Sequence, residues 1–153
     1  MEINGLPLHP LAVHVAVVIG PLAALVALAY VLRPAWQARL RSTLVVGAVV
    51  AVAAVVVAYL SGDSFREANA FFNQPGETAD LIDEHEELAG VLLLVTLGFG
   101  AVAVLVGLLH TRGGAVRTVL QVLLAAAALG VLVLVVLTGE AGARAVWGSG
   151  FEG

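Results

Sequence analysis

The sequence predicts an all-α integral membrane protein: a four-helix up-down bundle with a short extracytoplasmic loop helix. Three observations predict it. Of the 153 residues, 61% are hydrophobic and only 12% charged, whereas a soluble domain is about a quarter charged. The mean hydropathy is +1.04. Four stretches without a charge match the ~20 apolar residues that cross a bilayer. Residues 1–153 read as a single transmembrane domain.

The first span runs from about Pro10 to Leu32 and the second from about Thr43 to Leu60. The third runs from about Leu88 to Leu109, and the fourth from about Val116 to Thr138. Pro10 suits a first helical turn, where its missing N–H is no loss. Pro21 falls inside the first span and predicts a kink there. Small residues recur at helical spacing in the second span (Gly47, Ala51, Ala54, Ala58, Gly62), in the third (Ala89, Thr96, Gly100, Ala103, Gly107) and in the fourth (Ala125, Ala128, Gly139, Gly142). Such stripes let membrane helices approach closely. They are also the faces through which a homo-oligomer or larger membrane complex would form.

Charge sets the expected orientation. Arg33, Arg39 and Arg41 lie in the first connection, and Arg112 and Arg117 in the third. Both are short, so the positive-inside rule puts them in the cytoplasm. The acidic connection, residues 63–87, and both termini are then extracytoplasmic. Trp36 fits an inner interfacial anchor and Trp147 an outer one. All seven basic residues are Arg, which with abundant Ala, Val and Gly suggests a bacterial cytoplasmic membrane. Glu2 and the lack of a basic start exclude a cleavable signal peptide.

Residues 63–87 are varied in composition. Phe65, Phe71 and Phe72 are spaced as on an amphipathic helix covering the outer end of the bundle. Asn73-Gln74-Pro75-Gly76 reads as a stop and turn. Thr78 is the expected N-cap of the helix that continues into the third span.

The two hairpins resemble each other. His9-Pro10-Leu11-Ala12-Val13 opens the first, and Ser61-Gly62-Asp63 closes it. His85-Glu86-Glu87-Leu88-Ala89 opens the second, and Thr138-Gly139-Glu140 closes it. A duplication would relate the halves by a pseudo-two-fold along the membrane normal, with a shared site on that axis. Asp63 and Glu140 are expected just past helix C-terminal ends, where a carboxylate opposes the dipole and calls for a cation or donor.

Ionisable groups within a membrane mark functional sites. His9, His14 and His85 are expected at the outer end with Asp63 and Glu140. His110 lies 25 residues beyond His85, or ~37 Å along a helix. It therefore belongs to the other end and reads as an interfacial residue near Arg112. The outer constellation admits several readings. Two imidazoles can hold haem b axially within a helical bundle, and without an inner histidine pair one haem is the expected number. His9, His14, His85, Asp63 and Glu140 can hold a zinc, copper or iron ion. They can relay protons, or hydrogen-bond loop backbone with no cofactor at all. His14, inside the apolar stretch, is the better ligand candidate. His9 would orient or gate the site, and Asp63 and Glu140 would tune it or pair with Arg66 and Arg144.

Other classes are excluded more firmly. Cysteine is absent, which removes disulfides, thiolate metal sites and thiol catalysis. A net charge of −4 without a basic patch is no nucleic-acid signature. Ser61, Ser64 and Ser149 lack a nucleophile-elbow context, and no phosphate-binding glycine loop is present. With neither a hydrolase nor a transferase constellation, the chain is not expected to be an enzyme.

Leu6-Pro7-Leu8-His9-Pro10-Leu11-Ala12-Val13-His14 followed by Pro21, the exits at Ser61-Gly62 and Thr138-Gly139-Glu140, and the closing Val146-Trp147-Gly148 resemble the bacterial membrane protein family named domain of unknown function 2231. The resemblance covers nearly the whole chain and implies four spans. That family is in turn similar in architecture to two-haem b-type membrane cytochromes, which implies His14 and His85 as axial ligands. The function expected is a haem b-binding electron-transfer protein or respiratory-complex accessory subunit. The alternatives are a cofactor-free structural or assembly subunit and a metal-site protein.

Overall fold

A computed structural model of the chain describes residues 2–3, 5–69, 72 and 75–148. Four long helices dominate: α1 (Leu8–Leu32), α2 (Gln37–Glu67), α3 (Glu77–Leu108) and α4 (Gly114–Trp147). A 3-10 turn, Pro34–Trp36, joins α1 to α2. All four helices are long and apolar enough to cross a membrane, with mean hydropathies of 2.6 to 2.8 over their best windows. The one unexpected element is a two-stranded antiparallel ribbon before α1, β1 (Glu2–Ile3) and β2 (Leu6–Pro7). It turns through Gly5, whose φ of +78° favours a residue without a Cβ.

The bundle is built as two hairpins. α1 packs most extensively on α2, and α3 on α4; α2–α3 and α1–α4 contacts close the ring. The core is small-residue packing. Ala16, Ala23, Ala24 and Ala27 of α1 meet Ala48, Ala51 and Ala54 of α2, with Phe99, Leu124 and Val131 as the bulkier fillers. Lipid tails are as apolar as these side chains, so close backbone approach and dispersion hold the helices together. Gly47 brings α2 against Ala23, and Gly20 brings α1 against Val131 and Val135 of α4. Gly100 and Gly107 of α3 receive Val52 and Val45 of α2. Leu92, Thr96, Gly100, Ala103 and Gly107, expected on one inward face of α3, are all buried.

The helices differ from expectation at their ends. α2 continues past Asp63 to Glu67, taking Phe65 with it, and α4 continues past Glu140 to Trp147. Asp63 and Glu140 are therefore helical residues on exposed surface, four and seven residues before the last residue of their helices, not groups beyond a C-terminus. The dipole effect, confined to about the last turn, is weakened for Asp63 and lost for Glu140. α3 begins at Glu77 with Gly76 as its N-cap, so Thr78 lies inside the helix and caps nothing. Gly76 takes φ +142°, which a β-carbon would strain. The Phe72 ring lies against that of Phe65 (ring centroids 5.8 Å). Phe71, Asn73, Gln74 and Ser149 lie outside the described residues.

Candidate functional site

Chain polarity gathers the ends of the helices into two polar layers. At one end, the start of α1, the end of α2, the start of α3 and the end of α4 enclose a cavity of about 550 Å³. His9, Gly62, His85 and Gly142 contribute one lining residue from each helix in turn.

His9 and His85 face each other across this cavity. Their ring centroids are 6.5 Å apart and their planes nearly perpendicular, at 84°. Nδ1 of His9 is 2.9 Å from the Ala58 carbonyl oxygen, and Nδ1 of His85 is 2.9 Å from that of Thr138. A carbonyl only accepts, so each Nδ1 carries the proton and donates. In the neutral ring this tautomer leaves Nε2 as the acceptor. Fixing one ring nitrogen on a backbone carbonyl is how proteins orient a metal-binding imidazole.

A glycine lies beside each ring, and at His85 it is needed for space. A Cβ on Gly62 would stand 3.6 Å from Cε1 of His9, and one on Gly142 would stand 3.0 Å from Cε1 and Nδ1 of His85. In each hairpin the accepting carbonyl and the glycine are four residues apart, Ala58 to Gly62 and Thr138 to Gly142. The two hairpins thus share a histidine–carbonyl–glycine arrangement, in a register different from the one the sequence suggests. Gly62 corresponds to Gly142, not Gly139, because the glycine is set by the histidine it accommodates. The halves also differ in detail. His9 is stacked on Phe65 at 5.4 Å and 25°. Ser61 Oγ, donating to Val57 O at 2.7 Å, stands 3.5 Å from the same His9 Nδ1.

The other expected residues are placed differently. His14 is exposed on the outside of α1, with Nδ1 donating to the Pro10 carbonyl of its own helix at 2.6 Å. It lines the same cavity, with Pro10 and Val146, but His9 rather than His14 is the residue whose ring is set against His85. Asp63 is exposed and also lines the cavity. Arg66 bridges instead to Asp83 (2.8 Å) and Glu86 (2.7 Å), tying α2 to α3. Arg144 reaches Glu84 at 3.4 Å and Glu140 at 3.9 Å, tying α4 to α3. These are exposed pairs of small individual worth. Among the described residues, no group of three or more His, Cys, Asp or Glu is arranged to hold a metal ion.

The opposite end holds a network the sequence did not single out. The Tyr30 hydroxyl is 3.0 Å from His110 Nδ1. Gln37 donates to the Tyr30 carbonyl at 3.0 Å and accepts from Arg117 at 2.6 Å. Tyr30 is 2% and Gln37 4% exposed. The burial of Tyr30 could have been anticipated from the inward stripe of α1 (Ala16, Ala23, Ala27, Tyr30), whose spacing matches the stripes noted on the other helices; no such signal marks Gln37, the first residue of α2.

Compared with known protein families, the chain matches the one described as predicted membrane protein (DUF2231) over residues 5–152. No curated protein and no solved structure matches it.

Proposed function

The chain belongs to the DUF2231 family of predicted membrane proteins, and we propose that it binds one haem b between His9 and His85 and serves electron transfer within the membrane. The observation that carries this reading is the facing pair itself: two imidazoles lining one cavity, each locked by an Nδ1–H bond to backbone, so that Nε2 is the nitrogen left for a ligand. Haem iron takes two axial ligands. A lone zinc or copper ion asks for three or four, more than this pair supplies. A volume of about 550 Å³ lies within the range of cofactor pockets. Gly142 leaves the His85 ring in place by offering no side chain against it.

Bound there, the haem would supply one-electron redox chemistry. The chain's own residues orient the two imidazoles, and the apolar lining from Ala58, Leu92 and Ala145 limits water. In this reading the arginine-bearing end faces the cytoplasm of a bacterial cell and the histidine cavity the outside.

The test is a visible spectrum of protein purified from haem-replete cells. A Soret band and a reduced α band, lost in His9→Ala and in His85→Ala and kept in His14→Ala, are the expected result. A colourless protein without iron would overturn it. One observation favours a second reading. Each histidine also staples its own hairpin, α1 to α2 and α3 to α4. A cofactor-free structural subunit would therefore lose thermal stability in the same variants while showing no pigment in the parent.

A further inference from the structure

The charges of the chain are divided between its two ends. None of the eleven acidic residues falls between Ile3 and Gly62 or between Leu88 and Gly139. The end that carries Arg33, Arg39, Arg41, Arg112 and Arg117 therefore has no carboxylate of its own. At the opposite end Arg66 and Arg144 are both paired with acidic side chains. The counter-ions of the five arginines must come from outside the chain.

One of the five, Arg117, borders a crevice between α1, α3 and α4. Its cavity of about 10 Å³ is lined by Tyr30 of α1, His110 of α3 and Arg117 and Gln121 of α4, with Leu109 and Leu120 beside them. That volume is about one water-sized sphere.

The crevice offers hydrogen-bond donors. The Tyr30 hydroxyl belongs to a buried residue, and His110 Nδ1, at 3.0 Å, is its one hydrogen-bond partner among the described residues. A buried hydroxyl proton needs an acceptor, so Tyr30 donates and Nδ1 accepts. The imidazole then carries its hydrogen on Nε2. This is the reverse of His9 and His85, whose Nδ1 atoms donate to backbone. Gln121 is half-buried, and its amide makes no hydrogen bond among the described residues. Arg117 gives Nη2 to Gln37 at 2.6 Å and has further N–H groups to give.

We infer that this crevice binds the phosphate of an anionic phospholipid. One phosphate oxygen enters the water-sized space and accepts from His110 Nε2–H and the Gln121 amide. Arg117 meets the rest of the anion, whose oxygens match the guanidinium fork. Leu109 and Leu120 lie deeper along α3 and α4 and suit the glycerol and the first acyl carbons. The neighbouring arginines repel the ammonium of a zwitterionic headgroup, so the lipid preferred is one with net negative charge. Basic pockets between membrane helices hold anionic headgroups in this way. The site goes beyond the haem reading and does not depend on it.

Native mass spectrometry of the purified full-length protein in detergent tests it. The probes are dioleoyl phosphatidylglycerol and dioleoyl phosphatidylethanolamine, which share their chains, with inorganic phosphate as the chain-free control. Saturable retention of phosphatidylglycerol is expected, with phosphatidylethanolamine held more weakly. Arg117→Gln weakens the first binding step about tenfold, the worth of a charge-assisted bond at the surface, and Gln121→Leu about 2–10-fold. Arg39→Gln removes the same charge outside the crevice and leaves that step unchanged. Gln121→Leu keeps the test available should Arg117→Gln fail to fold. Equal affinity for the two lipids, or equal weakening in Arg39→Gln and Arg117→Gln, overturns the site. Inorganic phosphate that displaces phosphatidylglycerol at equal concentration overturns the lipid as the source of the phosphate. The mass of the parent chain reads haem separately, so a haem-free chain that retains the lipid upholds this site while sinking the haem.

Discussion

At the scale of single residues, face matters more than depth. His14 is deeper along α1 than His9 and was the natural ligand candidate on that ground. It follows His9 by five residues, which turns it by about 140° around the helix. A helix that points His9 inward must therefore point His14 toward the surface. Depth could be read from the apolar run, but facing needs the partner helices. The glycines are subject to the same distinction. A Cβ on Gly142 would stand 3.0 Å from the His85 ring, and one on Gly62 3.6 Å from that of His9. We expect Gly142→Ala to displace His85 and cost about 1–3 kcal/mol, in line with overpacked sites, and Gly62→Ala to be nearly neutral. Thermal unfolding in detergent checks both, and any pigment should weaken in Gly142→Ala alone. Equal melting of the two variants would show that His85 yields freely.

At the scale of elements, the four helices and their inward stripes were legible, because uncharged runs and small-residue spacing record the lipid and the neighbours directly. Their ends were not. Hydropathy marks where lipid stops, and backbone hydrogen bonding continues past that point into water-facing residues such as Arg66 and Arg144. The predicted repeat was legible as a pattern, but its register was not, since Gly139 and Gly142 look alike until His85 chooses between them. Helix contacts give sharper predictions. A Cβ on Gly100 would stand 2.6 Å from Val52 Cγ2, while one on Gly98 meets nothing. Gly100→Ala should lower stability by about 1–3 kcal/mol through the forced shift of Val52, with Gly98→Ala unchanged; a melting comparison decides. At the arginine-bearing end, Gln37→Leu removes the acceptor of Arg117 and the donor to Tyr30. Leaving the buried Tyr30 carbonyl without its donor should cost about 1–3 kcal/mol, while the exposed Arg117 turns to water. If Gln37→Leu melts with the parent, the network does not lock that end.

At the scale of the whole molecule, the two ends are built for different work. One is crossed by Tyr30, Gln37, His110 and Arg117, which tie all four helices or their ends into a closed layer around a cavity of about 10 Å³. The other holds a cavity of about 550 Å³ between the same helices. A bundle pinned at one end and hollow at the other can present a site to one side of a membrane only, so its orientation decides which compartment the site serves. In the orientation we propose, the arginine count puts the pinned end in the cytoplasm, and the absence of cysteine makes this measurable without background labelling. Single cysteines at Thr111 and at Ala79, each in an otherwise unchanged chain, should react oppositely with a membrane-impermeant maleimide added to intact cells. Ala79→Cys is expected to label at once, and Thr111→Cys only after the membrane is permeabilised. The reverse pattern would turn the cavity toward the cytoplasm. Any redox partner would then have to be sought on that side, although the facing histidines would not change.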